Sequence, residues 1–231
     1  MKSINLILLI STIIFASCKT EKAVVTTAEE DKINVELKKE LEGILQRDQG
    51  IREVVNGNLS GERKAELLKK MELREKDIEG NKLYSVQREI DSNNLIKVER
   101  IIKDYGYPGK ALVGEPANKA VFYVIQHSNK IDQYLPLIRK AAEDGEIANT
   151  SLAMMEDRNL MDKGLEQIYG TQIKGKANKE GEWIFFLWPV KDPENIDSLR
   201  KSAGFDSSIG EYLEAMEVEQ KFYRLSEIDD L

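Results

Sequence analysis

The chain has 231 residues, 41% of them hydrophobic, and a formal charge of −7 from 34 basic and 41 acidic side chains. That apolar share is enough for a packed core. The acidic balance, with no concentrated basic patch, argues against nucleic acid as a partner, because phosphate binding needs massed Lys and Arg. One cysteine permits no internal disulfide, and one histidine with one cysteine excludes a His/Cys zinc site.

The chain opens with Met1-Lys2 and an apolar run from Ile4 to Ala16, interrupted by Asn5, Ser11 and Thr12. A basic start, a short greasy middle and small residues before a cut are the features of a secretory signal. The run falls short of the ~20 apolar residues that a spanning helix needs. "FASC", Phe15 to Cys18, resembles the bacterial lipobox, which implies removal of residues 1–17 and acylation of Cys18 with chains such as palmitate. A buried, disulfide-forming or nucleophilic thiol would need structure around it. The neighbours here are the signal and "KTEKAVVTTAEED", a polar tether over 18–31.

A single domain over 32–231 is expected beyond the tether, mainly α, with one late β-hairpin at about 167–190. Leu37, Leu41, Ile44, Ile51 and Val55 share one helical face, ended by Asn56-Gly57-Asn58. Ser60 caps a charged second helix predicted to run through Leu67, Leu68, Met71 and Ile78 to Gly80. A third begins near Leu83, with Asp91 capping or interrupting it, and stops at Gly106 and Pro108. Pro116 opens a helix whose inner face is Ala117, Ala120, Val121 and Val124. Further helices span Ile131 to Asp144, with a break or restart at Pro136, and Ile147 to Lys163. "QIYGTQI" and "EWIFFLWPV" read as two strands joined by "KGKANKEGE", the second apolar enough to be covered on both faces. Two helices close the chain, from Asp192-Pro193 to Gly204 and from Ser207 or Ser208 through Met216.

Polar residues on these apolar faces mark candidate sites. Asp48 interrupts the first helix's stripe, with Arg52 one turn on in ion-pair reach. His127 continues the face of Ala120 and Val124, and Arg158 falls on the stripe 147, 151, 154, 158, 161 with Asp157 beside it. An inward charge needs a partner or a wet cleft. A structural network and a ligand pocket between helices both satisfy that need.

"DSNN" at Asp91, "YGYPGKALVGEPA" from Tyr105, "IQHSN" at Ile125, "EDRNL" at Glu156, "QIYGTQI" from Gln167 and "DPENIDSLRKSAGF" from Asp192 together resemble the bacterial family known as domain of unknown function 6624. The resemblance runs from about Leu41 to Leu213. It implies one folding unit and brings no established activity. Asp91, His127, Asp157, Arg158, Gln167, Tyr169 and Gln172 fall in its motifs, and Asp48 and Arg52 in its early pattern.

The expectation is therefore a lipid-anchored cell-envelope protein, in the outer membrane where the organism has one. Its domain is a ligand-binding or interaction module, with Asp48, Arg52, Gln167 and Gln172 as binding candidates. The alternative is an envelope hydrolase or transferase with His127 as acid or base, oriented by Asp91 or Asp157, with Arg158 holding an anion and Tyr169 donating a proton. No cofactor or metal motif is visible. The partners expected are the membrane through Cys18 and a small ligand or protein.

Overall fold

The computed structural model describes residues 33–231. The predicted signal and the whole of the predicted tether lie outside the described residues. Residues 32–231 cluster as one compact unit, with its own core, so this unit can fold alone. It is mainly α with a late antiparallel hairpin. No described helix is long and apolar enough to cross a membrane.

Helix α1, Val35–Asn56, starts where the Asn34 side chain accepts from Leu37 N at 3.0 Å, and ends where Gly57 takes φ +78°. Helix α2, Gly61–Lys70, is capped by Ser60 as expected. It stops more than two turns short of the expected end at Gly80, because Glu72 adopts φ +61° and a 3-10 turn at Glu75–Asp77 follows. Ile78 reaches the apolar cluster of Ile51, Leu67, Leu68, Met71 and Ile90 from beyond that turn. Helix α3, Lys82–Tyr105, runs through Asp91 without interruption. Asp91 neither caps nor breaks it, because its carboxylate is taken by Arg52 at 2.8 Å.

Helix α4, Lys110–Val113, and a 3-10 turn at Ala117–Lys119 lead into α5, Ala120–Gln126, whose apolar face is buried. Helix α6, Ile131–Glu143, continues through Pro136 where a break was expected. Proline sits in its second turn and forfeits a single helical bond, the one to the carbonyl of Asp132. Helix α7 is Asn149–Asp162. The largest core cluster joins α1, α3, α5, α6 and α7 through residues such as Leu41, Val98, Phe122, Ile138 and Met155.

The first strand of the hairpin lies further along the chain than expected, and the second falls within its expected segment. Strand β1 is Ile173–Ala177 and β2 is Trp183–Leu187, with Ile173 opposite Leu187 and Ala177 opposite Trp183. "QIYGTQ" is instead a loop, because the N–H groups of Ile168, Tyr169 and Thr171 are given to Asp157 and cannot enter a ladder. Nor is β2 covered on both faces: Phe186 and Leu187 are buried, but Trp183 and Phe185 are exposed. Helices α8, Ile196–Ser202, and α9, Ile209–Ala215, close the fold, α9 through a capping box of Ser208 and Glu211. Their apolar sides join Leu187 and Val190 in a third cluster.

Gly170 couples the loop to that cluster. It sits at φ +67°, and an added Cβ would lie 2.7 Å from Ile196 Cδ1 and 2.8 Å from Ile209 Cδ1. Gly181 has φ +81° with nothing near its missing Cβ. Alanine at Gly181 is expected to cost about 1 kcal/mol, from backbone strain alone. At Gly170 overpacking adds to the strain, for a total of roughly 2–4 kcal/mol. Urea unfolding of the two variants checks the difference; equal losses would contradict the close approach.

Candidate functional site

Asp48 lies on the inward face of α1, where its neighbours Leu41, Ile44 and Ile51 belong to the core. Its side chain is 1% exposed. A carboxylate so placed must be compensated. Arg52, one turn on, brings Nη1 to 3.1 Å from Oδ1 and donates from the same nitrogen to the Asp48 carbonyl at 2.8 Å. Gln49 Nε2 donates to Oδ2 at 2.7 Å.

His127 stands at the C-terminal end of α5, with Nδ1 3.2 Å from both Asp48 oxygens. The other guanidinium nitrogen of Arg52 donates to Asp91 Oδ1 on α3 at 2.8 Å. Four of the sequence candidates, Asp48, Arg52, Asp91 and His127, are therefore brought together from three helices. The carboxylate at the imidazole is Asp48, not Asp91 or Asp157. Asp91 reaches the cluster through Arg52.

With Asp48 held as an acceptor by Arg52 and Gln49, the imidazole meets it best with Nδ1 protonated. That tautomer leaves Nε2 with a lone pair. Nε2 has no hydrogen-bond partner among the described residues, and the side chain is 18% exposed. Next to the cluster, the Tyr123 ring stacks towards His127 with centroids 6.4 Å apart. Tyr123 and Gln49 also line a largely apolar groove of about 440 Å³ between α1 and α5, whose walls include Leu45 and Pro116. Glu42 and Lys119 stand among its lining residues.

The remaining candidates gather elsewhere. Asp157, fully buried on α7, accepts from the N–H of Ile168, Tyr169 and Thr171 and from the Thr171 hydroxyl at 2.7–3.1 Å. Burial pushes its carboxyl above the ordinary range, and those donors pull it back in part. Gln167 is equally enclosed. Its amide donates to the carbonyls of Gln172 and Trp188, and its oxygen accepts from Gln172 N at 2.8 Å. Gln172 donates in turn to Met154 O and the Thr171 hydroxyl. Burial raises the Tyr169 phenol, and nearby Glu156 adds to the effect.

These four residues clasp the loop onto α7. No hydrogen bond or ion pair among the described residues joins them to the His127 cluster. On α7 the inward face is centred on Asp157, with Ser151, Ala153 and Met155, rather than on Arg158. Arg158 is half-buried, and its Nε is enclosed without a hydrogen-bond partner among the described residues.

Three buried polar residues escaped the sequence reading: Asn94, Asn118 and Arg200. Asn118, 2% exposed, donates to the Glu146 carbonyl at 2.9 Å. Asn94 on α3 is 1% exposed, facing the Ile44 carbonyl at 3.5 Å. Arg200 on α8 is 2% exposed. It donates to Ser207 O, Ser207 Oγ and Tyr169 O, and lies over the rings of Phe205 and Tyr212. The signal for Arg200 was present, since Ile196, Arg200 and Ala203 share a helical face. Among the described residues no three His, Cys, Asp or Glu side chains are placed to hold a metal ion.

A family model matches residues 35–223, under the description "Family of unknown function (DUF6624)". The chain belongs to this family. The match spans both polar clusters and the hairpin, as one unit should. No curated protein and no solved structure matches the chain.

The two clusters separate by substitution. Asn in place of Asp157 turns an acceptor into a donor against backbone N–H groups, so Asp157→Asn is expected to lose roughly 2–4 kcal/mol of stability. Urea unfolding measures it. A loss below about 0.5 kcal/mol, the level of an ordinary surface substitution, would contradict the clasp.

Proposed function

We propose that this chain is a bacterial envelope lipoprotein, held on a membrane through acylated Cys18, whose helical domain binds a small ligand at His127. The observation that carries the ligand reading is the Asp48–His127 contact. It orients an imidazole whose Nε2 is unengaged among the described residues, and the ring of Tyr123, one turn before it, lines an apolar groove. An apolar wall with a few oriented polar groups is the usual make-up of a small-molecule site. The lipid reading rests on the basic start, the short apolar run and "FASC". An outer-membrane address belongs to the same reading, where the organism has that membrane.

A second reading, an envelope hydrolase or transferase, draws on the same contact. A buried carboxylate on Nδ1 sets the tautomer in which Nε2 can accept a proton. In that reading Asp48 is the orienting carboxylate and Arg52 the cation paired with it. No hydrogen bond or ion pair among the described residues joins Arg158 to the cluster.

The test is a thermal-shift screen of residues 32–231 against envelope metabolites, glycans, peptides and divalent ions. A ligand at 100 times its Kd stabilises by about 2.7 kcal/mol, which raises Tm by roughly 5–10 °C for a domain of this size. His127→Asn is expected to fold and to lose the shift, and turnover of the stabilising compound would select the enzyme reading. Hits unchanged by His127→Asn, or no hit in a broad library, would overturn the site. For the anchor, labelled fatty acid should enter the wild type and not Cys18→Ser; labelling of both contradicts it.

A further inference from the structure

Strand β2 turns two large aromatic side chains outward. Trp183 is 66% exposed and Phe185 61%. They stand two positions apart on one face of the strand, with ring centroids 6.5 Å apart, edge to face. Gly175 is paired with Phe185 across the ladder. A Cβ on Gly175 would lie 2.8 Å from Trp183 Nε1 and 2.9 Å from Phe185 Cε1. Both rings therefore lie against the bare backbone of β1, which makes one continuous apolar surface. The core does not require them, since Phe186 and Leu187 supply the buried part of the strand. Among the described residues no other pair of exposed large apolar side chains is in ring contact.

We propose that Trp183 and Phe185 form a membrane-contact face that seats the domain on the headgroup region of the bilayer; this rests on the lipid-anchor reading. The length of chain beyond the described fold identifies the occupant. The fourteen residues from Lys19 to Lys32 reach roughly 50 Å at full extension, against a radius of gyration of about 16 Å for a domain of this size. Any face of the domain can then meet the membrane. Tethering also holds the bilayer at an effective concentration on the order of millimolar, so a patch with weak affinity of its own is enough.

Among exposed surfaces, the one that gains most at a headgroup boundary is a tryptophan beside a second aromatic ring. The hairpin from Ile173 to Leu187 carries three lysines and two glutamates. That near balance fits a zwitterionic lipid surface and needs no anionic lipid. The anchor fixes distance, and the hairpin fixes which side of the domain faces down.

The sole thiol makes the test independent of biological acylation. A chain beginning at Cys18 is coupled through that thiol to maleimide-headgroup phosphatidylethanolamine in phosphatidylcholine vesicles, with or without brominated phosphatidylcholine as quencher. The only tryptophans are Trp183 and Trp188, and Trp188, 6% exposed, is the internal reference. The expected result is that brominated lipid quenches the coupled wild type, blue-shifts its remaining emission, and leaves coupled Trp183→Tyr unquenched. Equal quenching of the two proteins, no quenching of the wild type, or a change that follows only protein density on the vesicle would overturn the proposal, the last in favour of contact between copies. Absence of fatty-acid labelling at Cys18 in cells would count against the anchor without altering this result.

Discussion

A carboxylate buried in a wall of leucine and isoleucine is the constraint around which the N-terminal half is arranged. Asp48 sits where α1 should be apolar and is shielded from water, so its charge has to be met by protein groups. Each group that meets it comes with a helix attached. Arg52 ties it to Asp91 on α3, and His127 arrives at the end of α5. Asn94, one turn beyond Asp91, faces the carbonyl of Ile44, one turn before Asp48. Hydrophobic burial along Leu41, Val98 and Phe122 brings these helices together without direction. The polar contacts supply the direction, and in doing so they set the orientation of one imidazole.

A second buried carboxylate serves the other half in a different way. Asp157 meets backbone N–H groups rather than charged side chains. It shapes the loop that precedes the hairpin and thereby delays the first strand to Ile173. Arg200 extends that arrangement by donating to the carbonyl of Tyr169 while lying over the rings of Phe205 and Tyr212. One acid thus shapes a loop from beneath, and the other orients a side chain whose second nitrogen has no hydrogen-bond partner among the described residues. Asp48 interrupts an apolar stripe in the sequence, whereas the stripe on α7 points to Arg158 and leaves Asp157 beside it.

That difference also explains what could be read from the sequence. Helices announced themselves through periodic apolar faces and through Asn56-Gly57, Ser60 and Ser208, because caps and left-handed turns demand particular residues. Asp48 and His127 stood out as polar interruptions of apolar stripes, but they lie 79 positions apart, and no local pattern encodes such a pairing. All but one of the donors to Asp157 are main-chain groups, which carry no residue identity, so the acid was visible and its purpose was not. In "WIFFL" every residue is apolar. The alternation that exposes Trp183 and Phe185 therefore leaves no polar mark, and an exposed face reads like a covered one.

The central claim is that Asp48 holds His127 with Nδ1 protonated and Nε2 available. Imidazole nitrogen chemical shifts, observed by long-range proton–nitrogen NMR on the domain at a pH where the ring is neutral, test it directly, because this chain has only one histidine. The account predicts an N–H type Nδ1 and a lone-pair type Nε2, with the preference lost in Asp48→Ala. A ring protonated at Nε2 in the wild type, or the same tautomer in both proteins, would contradict it.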